Sequence, residues 1–502
     1  DLTQPVFKYN RRILRVCRKS FANKILRNLN KKEIKNHVQV YDLFTSINGA
    51  EGVAYVDKIN RNTSAGYPHY KSKRWFLHDI DPQHGLMNPV DIDQEIKDRI
   101  SEMEDKYIHG QTVNPVYVAS LKDEPLPWEK ASIGKVRVFG SAPMDWVILY
   151  RKYMLSMLRL MKNNKFAFET AVGTIAQSSE WSKIYSYITH FGKNRMIAGD
   201  FRKFDKKMPP EFIREAHELF VDISEYAPNF LDSAKTVIRG LGADVAYPLM
   251  DFNRELVKFF GSMPSGIPAT VDINSLVNSL YLRYVFVILY CEHVKEIDTE
   301  EEIMEALEIF NKNVRVMTYG DDNMLNVSKN IPWYNHTNIA KAFKQMDIDY
   351  TMADKSAESI PFIHISDVSF LKRTWRFDKE LNTYVSPLDH DSIEKMLMVW
   401  VESDTISPES QCIAVVSSAI REYFFYGREI FEEKRLLFIN LLDHLNLTMC
   451  INDKVLPLYN QLKDQFKDNS LRLNIDLECH EYTMEIQSAK EYYEEPIFEA
   501  QV

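Results

Sequence analysis

Val314-Arg-Val-Met-Thr-Tyr-Gly-Asp-Asp-Asn-Met-Leu-Asn-Val327 is the stretch on which the fold of this chain turns. Residues 314–319 alternate as a strand does, Gly320-Asp321-Asp322 is turn chemistry, and Met324-Leu-Asn-Val327 reads as the returning strand. Upstream, Arg195-Met-Ile-Ala-Gly-Asp200 reads as a short buried strand ending at an acid, and residues 268–290 as a long helix with Pro268 in its first turn. Downstream, Ile339, Ala342, Phe343 and Met346 mark an amphipathic helix, and Ile348-Asp-Tyr-Thr351 another strand. The order strand, helix, hairpin, helix, strand predicts a ferredoxin-like split βαβ sheet with helices on one face. Beyond it the pattern turns helical. Ser407 and Pro408 suit N-cap and N1, and Ile413, Val416, Ile420 and Phe424 form one stripe. The fold class is therefore α+β, with a helical C-terminal domain.

Bulk properties narrow the setting. At 502 residues the chain is long enough for about three domains or subdomains, and 45% hydrophobic with 26% charged residues excludes a disordered or fibrous chain. The five cysteines (Cys17, Cys291, Cys412, Cys450, Cys479) are scattered and form no Cys-x-x-Cys pair. That argues against a disulfide framework or a zinc knuckle, and for a reducing compartment. The longest apolar run, Tyr284–Cys291, is eight residues, so no transmembrane segment is expected. The chain opens on Asp1 with a basic stretch rather than a signal peptide, which fits either a product processed from a polyprotein or an artificially trimmed chain. The net charge of −9 at face value argues against a nucleic-acid partner. The distribution does not: residues 1–36 carry a net +9, residues 470–502 a net −6 and the middle −12. The head reads either as phosphate-facing or as a solvated charge run.

Two carboxylate sets stand out: Asp200-x4-Asp205 at a strand end, and Tyr319-Gly-Asp-Asp322 in the hairpin turn. Each alone is also what a plain turn contains. At neighbouring strand ends they would repel one another unless cations neutralised them, and a dense oxygen set suits Mg²⁺. Two such ions about 3.5–4 Å apart serve phosphoryl transfer. In Met263-Pro-Ser265-Gly266-Ile-Pro-Ala-Thr270, followed by Asn274 and Asn278, the last three polar residues share one helix face, which could meet a ribose hydroxyl, face solvent, or be buried and satisfied internally. Lys135 and Arg137 alternate with valines, so on a strand both would point one way, toward a triphosphate or toward water; Lys122 and Lys130 precede them. Thr63-Ser64-Ala-Gly66-Tyr-Pro68 is a turn-forming stretch whose N–H groups could touch phosphates. No Gly-x4-Gly-Lys-Ser/Thr loop occurs, which disfavours a P-loop NTPase.

In this order the segments resemble the RNA-dependent RNA polymerases of positive-strand RNA viruses, in the picornavirus-like group, with thumb residues 386–397 and 419–424 most similar to those of invertebrate or algal viruses. Residues 63–68 look like motif G and Lys122-Asp-Glu through Arg137 like motif F. Asp200 and Asp205 look like motif A, Ser265–Asn278 motif B, and residues 319–322 motif C. Thr351–Lys355 looks like motif D and Phe370-Leu371-Lys372-Arg373 like motif E. Pro125-Leu-Pro127 departs from the family pattern, which carries an Arg shortly after Lys-Asp-Glu.

The resemblance implies a closed right hand. Its expected division is fingers at 1–190, palm at 191–207, a fingers insertion at 208–258, palm at 259–378, and thumb with acidic tail at 379–502. It implies two Mg²⁺ ions, replaceable by Mn²⁺, on Asp200, Asp321 and Asp322, and Lys355 as proton donor to pyrophosphate. Lys122, Lys135 and Arg137 would hold the triphosphate; Asp205, Ser265, Gly266, Thr270 and Asn274 the nucleotide and its 2′-hydroxyl. Thr63, Ser64, Gly66, Lys130 and Phe370–Arg373 would contact RNA. Implied partners are RNA template and primer, ribonucleoside triphosphates, a genome-linked protein primer and other viral replication proteins, in host cytoplasm at membrane-bound replication complexes. A reverse transcriptase shares the palm but usually lacks Gly320, and a non-catalytic relative would have lost the carboxylates. A basic channel leading to Asp321 is expected through an otherwise acidic surface.

Overall fold

The computed structural model describes residues 7–353, 358–400, 402–403 and 406–471. The chain divides into two compact units, Asp1–Gly173 with His190–Ile363, and Thr174–Thr189 with His364–Val502. These cuts differ from the five-part expectation, since Thr174–Thr189 and residues 364–378 pack with the C-terminal helices.

The N-terminal unit holds the split βαβ sheet. Its elements are β1 (Met196–Phe201), α1 (Thr270–His293), β2 (Val314–Tyr319), β3 (Asp322–Val327), α2 (His336–Gln345) and β4 (Tyr350–Met352). All neighbours are antiparallel, in the order β4-β1-β3-β2. Register is tight at the functional end: Asp200 faces Thr351, Gly199 faces Asn323, and Tyr319 faces Asp322. Strand alternation sends Phe201, Tyr350 and Asn323 to one face. There Phe201 and Tyr350 meet Phe343 of α2, and Phe201 meets Tyr281 of α1. Asp200, Thr351 and Asp322 take the other face.

Helix α1 starts at Thr270, with Ala269 as its cap, so Pro268 lies in the loop before it and not in its first turn. Its length and apolar composition would suffice to cross a bilayer, but almost all of it is buried inside the protein. It is the core helix of the sheet. Arg283 in its middle is fully buried and needs a counter-charge. Glu169 supplies it through two bonds of 2.8 Å, and Lys24 binds the same carboxylate. Burial would raise the Glu169 pKa; Arg283 first, then Lys24, overcome that and hold it at about 2. Burial pulls Lys24 below the ordinary lysine range, with Glu169 opposing and Arg283 reinforcing.

The basic head is explained by similar pairing. In the helix Arg11–Asn28, Arg18 pairs with Glu215 and Asp222, Lys19 with Glu300 and Arg27 with Glu308, and Arg12 pairs with Asp298. Together with Lys24 these are five cations matched by acids from the middle of the chain.

A second four-stranded sheet contains Val116–Leu121 beside Val138–Ser141. The expected strand through 135–137 is absent: Lys135 N–H bonds Lys130 O and Val136 N–H bonds Gly134 O, a turn that ends where the strand begins at Val138. In the C-terminal unit the helix Pro408–Tyr423 has Ser407 accepting from the Ser410 N–H, and Ile413, Val416, Ile420 and Phe424 are buried, as the sequence predicts.

Candidate active site

The β2–β3 turn is held from beneath by α1. Gly320 takes φ +63°, a conformation that favours glycine. Its N–H bonds Ser275 Oγ at 2.9 Å, and Asn278 Nδ2 donates to the carbonyls of Gly320 and Asp321 at 3.1 and 3.0 Å. Asp321 is thereby fixed at the turn tip and Asp322 opens β3. Asp200 ends the same edge of β1, and Asp205 follows in the single turn Phe204–Lys207. Solvent reaches Asp321 from the open side, yet the surrounding protein desolvates its carboxyl and raises its pKa, and the charges of Asp200 and Asp205 raise it further. The three acids thus feel one another. Among the described residues no three His, Cys, Asp or Glu side chains close a metal cage. The donor set fits a hard cation all the same, because Mg²⁺ commonly takes one or two carboxylates and completes its shell with water and substrate phosphate.

The loop before α1 is tied to both sides of this site. Met263 N–H bonds Asp205 O at 2.8 Å, and Gly266 N–H bonds Gly140 O at 2.8 Å. A Cβ on Gly266 would sit 2.5 Å from Gly140 O, so only glycine permits this approach. The row Thr270, Asn274, Asn278 does not act together. Thr270 Oγ1 lies within 3.2 Å of the Pro264, Ser265 and Ile267 carbonyls, fastening the loop, while Asn278 supports the turn. Asn274 is buried and its Oδ1 has no hydrogen-bond partner among the described residues, which leaves an acceptor for a ligand hydroxyl. Ser265 is exposed in the loop before α1.

Arg137 is exposed and clasped by Glu124, which its guanidinium holds at a pKa of about 2; Asp205 and Asp321 also act on Arg137. Lys122 lies 3.6 Å from Glu124, and Lys130 and Lys135 are exposed. In the 63–68 loop several polar groups already have partners: Ala65 N–H bonds Lys71 O, Gly66 N–H bonds Ser64 Oγ, and Thr63 Oγ1 donates to Asn60 O and accepts from Lys73 Nζ. A phosphate would have to meet Ser64 or the exposed cations around it.

Two of the motif E side chains lie inside the protein. Phe370 is buried, and Arg373 is buried in a two-bond pair with Glu422 at 2.7 and 2.8 Å, so both build the C-terminal unit. Leu371 and Lys372, at φ +55° and +62°, form the tip between them, with Lys372 exposed. Lys355 lies outside the described residues. The supporting residues Ser275, Glu169, Arg283 and Lys24 were not singled out from sequence; only Arg283, a charge inside an apolar run, carried a signal.

A sequence model of the viral RNA-dependent RNA polymerase family matches residues 3–444. The chain is 29% identical over 440 residues to a replicase polyprotein of Drosophila C virus, covering 84% of this chain and 24% of that protein. It is 30% identical over 403 residues to the replicase polyprotein of Cricket paralysis virus, covering 76% and 22%. It thus spans about a quarter of the curated relatives it matches. A Sicinivirus 3Dpol RNA-dependent RNA polymerase superposes with a TM-score of 0.70 at 19% identity, covering 94% of this chain and 87% of that one.

Proposed function

The chain belongs to the viral RNA-dependent RNA polymerase family, and from that premise we propose that it synthesises RNA on an RNA template, joining ribonucleoside triphosphates to an RNA 3′-hydroxyl or a protein primer. The observation that carries this reading is the convergence of Asp200, Asp205 and Asp321 at one sheet edge, close enough that the first two raise the pKa of the third. Such repulsion is costly unless a cation relieves it. Asp200, Asp321 and Asp322 would hold two Mg²⁺ ions. When bound, these would lower the pKa of the attacking hydroxyl and stabilise the charge of the leaving oxygen.

The chain's own residues orient the substrate. Arg137, with Lys122 and Lys135, would neutralise the triphosphate, and in doing so Arg137 would exchange Glu124 for phosphate oxygens. Asn274 Oδ1 would accept a hydrogen bond from the ribose 2′-hydroxyl, with Asp205 and Ser265 beside it. A site built for that hydroxyl disfavours a deoxyribonucleotide because the acceptor stays buried and unpaired. Gly266 and Thr270 fix the loop that presents Ser265. Lys130, the 63–66 loop and Lys372 would contact RNA, and Lys355 would return a proton to pyrophosphate. The expected division into fingers, palm and thumb, a genome-linked protein primer and membrane-bound replication complexes belong to the same proposal.

The test is primer extension on a primed RNA with Mg²⁺ and ribonucleotides, comparing the parent with Asp321→Ala. Extension by the parent and its loss in the variant are expected. A parent that does not extend, or a variant that extends equally, would refute the reading.

A further inference from the structure

Tyr350 stands on β4, yet its side chain serves β3. In register it faces Phe201 on β1, and two residues along β1 on the same face is Gly199. The tyrosine leans diagonally across that glycine: a Cβ on Gly199 would lie 1.9 Å from the Tyr350 ring carbon that bears the hydroxyl. The glycine is thus a notch through which the ring passes the central strand. Beyond it, Tyr350 Oη donates to Asn323 Oδ1 at 2.7 Å. Asn323 is buried, directly follows Asp322, and turns its Nδ2 toward the Asp321 carbonyl at 3.4 Å. Tyr350 is itself buried, stacked on His336 and packed against Phe343. One side chain therefore spans three strands. These are β4, which leads to Lys355, β1, which carries Asp200, and β3, which begins at Asp322. The strut runs on the helix-covered face, opposite the acids.

Backbone pairing already holds β1 to β3, but Asp321 is in the turn, beyond the last pair. Asn278 fixes the two turn carbonyls from α1, and Asn323 reaches one of them from β3. The Tyr350 hydroxyl is the described partner of Asn323 Oδ1, so it determines how that side chain is turned. We propose that Tyr350 is a positioning residue for the polymerase reaction: through Asn323 it sets the placement of the Asp321–Asp322 turn relative to Asp200, and Gly199 exists to let it through. The inference rests on the polymerase reading for its kinetic consequence, but not for its structural one.

The experiment is a double-mutant cycle of Tyr350→Phe and Asn323→Ala in the full chain. Removing the hydroxyl keeps the ring but strands a buried acceptor, so kcat for extension falls about tenfold in each single variant with the nucleotide KM within about twofold. The double variant is no slower than the worse single one. Amide exchange at residues 320–323 quickens in both, while the unfolding midpoint stays within about 2 °C of the parent. Unchanged kcat and exchange, or losses that multiply in the double variant, overturn the proposal. So does a Tyr350→Phe protein whose exchange rises throughout as its midpoint falls, because the hydroxyl is then a general stabiliser. The exchange readout separates this from the polymerase reading, since it needs no RNA.

Discussion

Replacing Glu169 by Gln keeps its shape and removes its charge, leaving Arg283 and Lys24 as two buried cations with no anion between them. Breaking a buried ion pair from one side costs about 3–5 kcal/mol. The titration of Glu169 gives a similar magnitude. Its pKa falls from 4.5 to about 2 on folding, and at 1.36 kcal/mol per unit that is roughly 3 kcal/mol. A depressed carboxylate pKa contributes stability that is present above pH 4.5 and is lost as pH falls from there toward 2. The N-terminal unit has roughly 350 residues, so its unfolding entropy of about 0.7 kcal/mol/K converts 3–5 kcal/mol into a fall of about 4–7 °C. Calorimetry at pH 7 measures it. The variant should also lose less stability than the parent between pH 4.5 and 2, because the group that titrates is gone. Lys24→Met added to Glu169→Gln should recover part of the loss by removing the surplus cation. A midpoint within about 1 °C of the parent, or an unaltered acid limb, would refute the reasoning.

Gly266→Ala should disrupt the joint between the loop before α1 and the strand Val138–Ser141, since its Cβ would meet a backbone carbonyl at 2.5 Å. We expect extension to fall at least about tenfold, with KM for nucleotides rising, while a shift in midpoint stays under about 4 °C; steady-state kinetics and a thermal melt check both. Asn274→Ala removes the buried, unpartnered acceptor, and should narrow the ratio of ribonucleotide to deoxyribonucleotide incorporation by about tenfold, mainly by weakening ribonucleotide use. Competing the two nucleotides on one primed template measures that ratio, and an unchanged ratio would remove Asn274 from the sugar contact.

The sheet was legible because its signals are local. A period of two, a Gly-Asp-Asp turn and a helix pattern between strands each span at most about 25 residues. The acids were legible for the same reason, standing at strand ends that the pattern already marks. One local pattern misleads and another divides along its length. The alternation of Lys135 and Arg137 reads as a strand, but Gly134 at φ +63° closes a turn there, and a period of two over three or four residues cannot exclude it. Thr270, Asn274 and Asn278 do share a face of α1, but eight residues of helix rise about 12 Å, so the three meet a loop, an open acceptor position and the hairpin in turn. Illegible altogether were the supports. Glu169 lies 114 residues from Arg283 and 145 from Lys24, and Gly199 accepts Tyr350 from another strand. Nothing at either end names its partner.

The charge distribution follows from that long-range pairing. A basic head of net +9 looks like a footprint for phosphate only while its partners are unknown. Arg12, Arg18, Lys19, Lys24 and Arg27 are matched by Asp298, Glu215, Asp222, Glu300, Glu169 and Glu308, so five of the eleven basic residues at 1–36 and part of the negative middle are paired within the chain. Charges spent on one another in this way exert little field outside, whatever their number. Among the cations left to face a polyanion are the exposed Lys122, Lys130, Lys135 and Arg137, and the last is already paired with Glu124. Glu124 keeps Arg137 oriented and partly neutralised, and on the proposed function a triphosphate would take its place. A net charge of −9 is then no argument against a nucleic-acid enzyme, because the sum counts the internal pairs and the catalytic acids with the same weight as the few cations that meet the substrate.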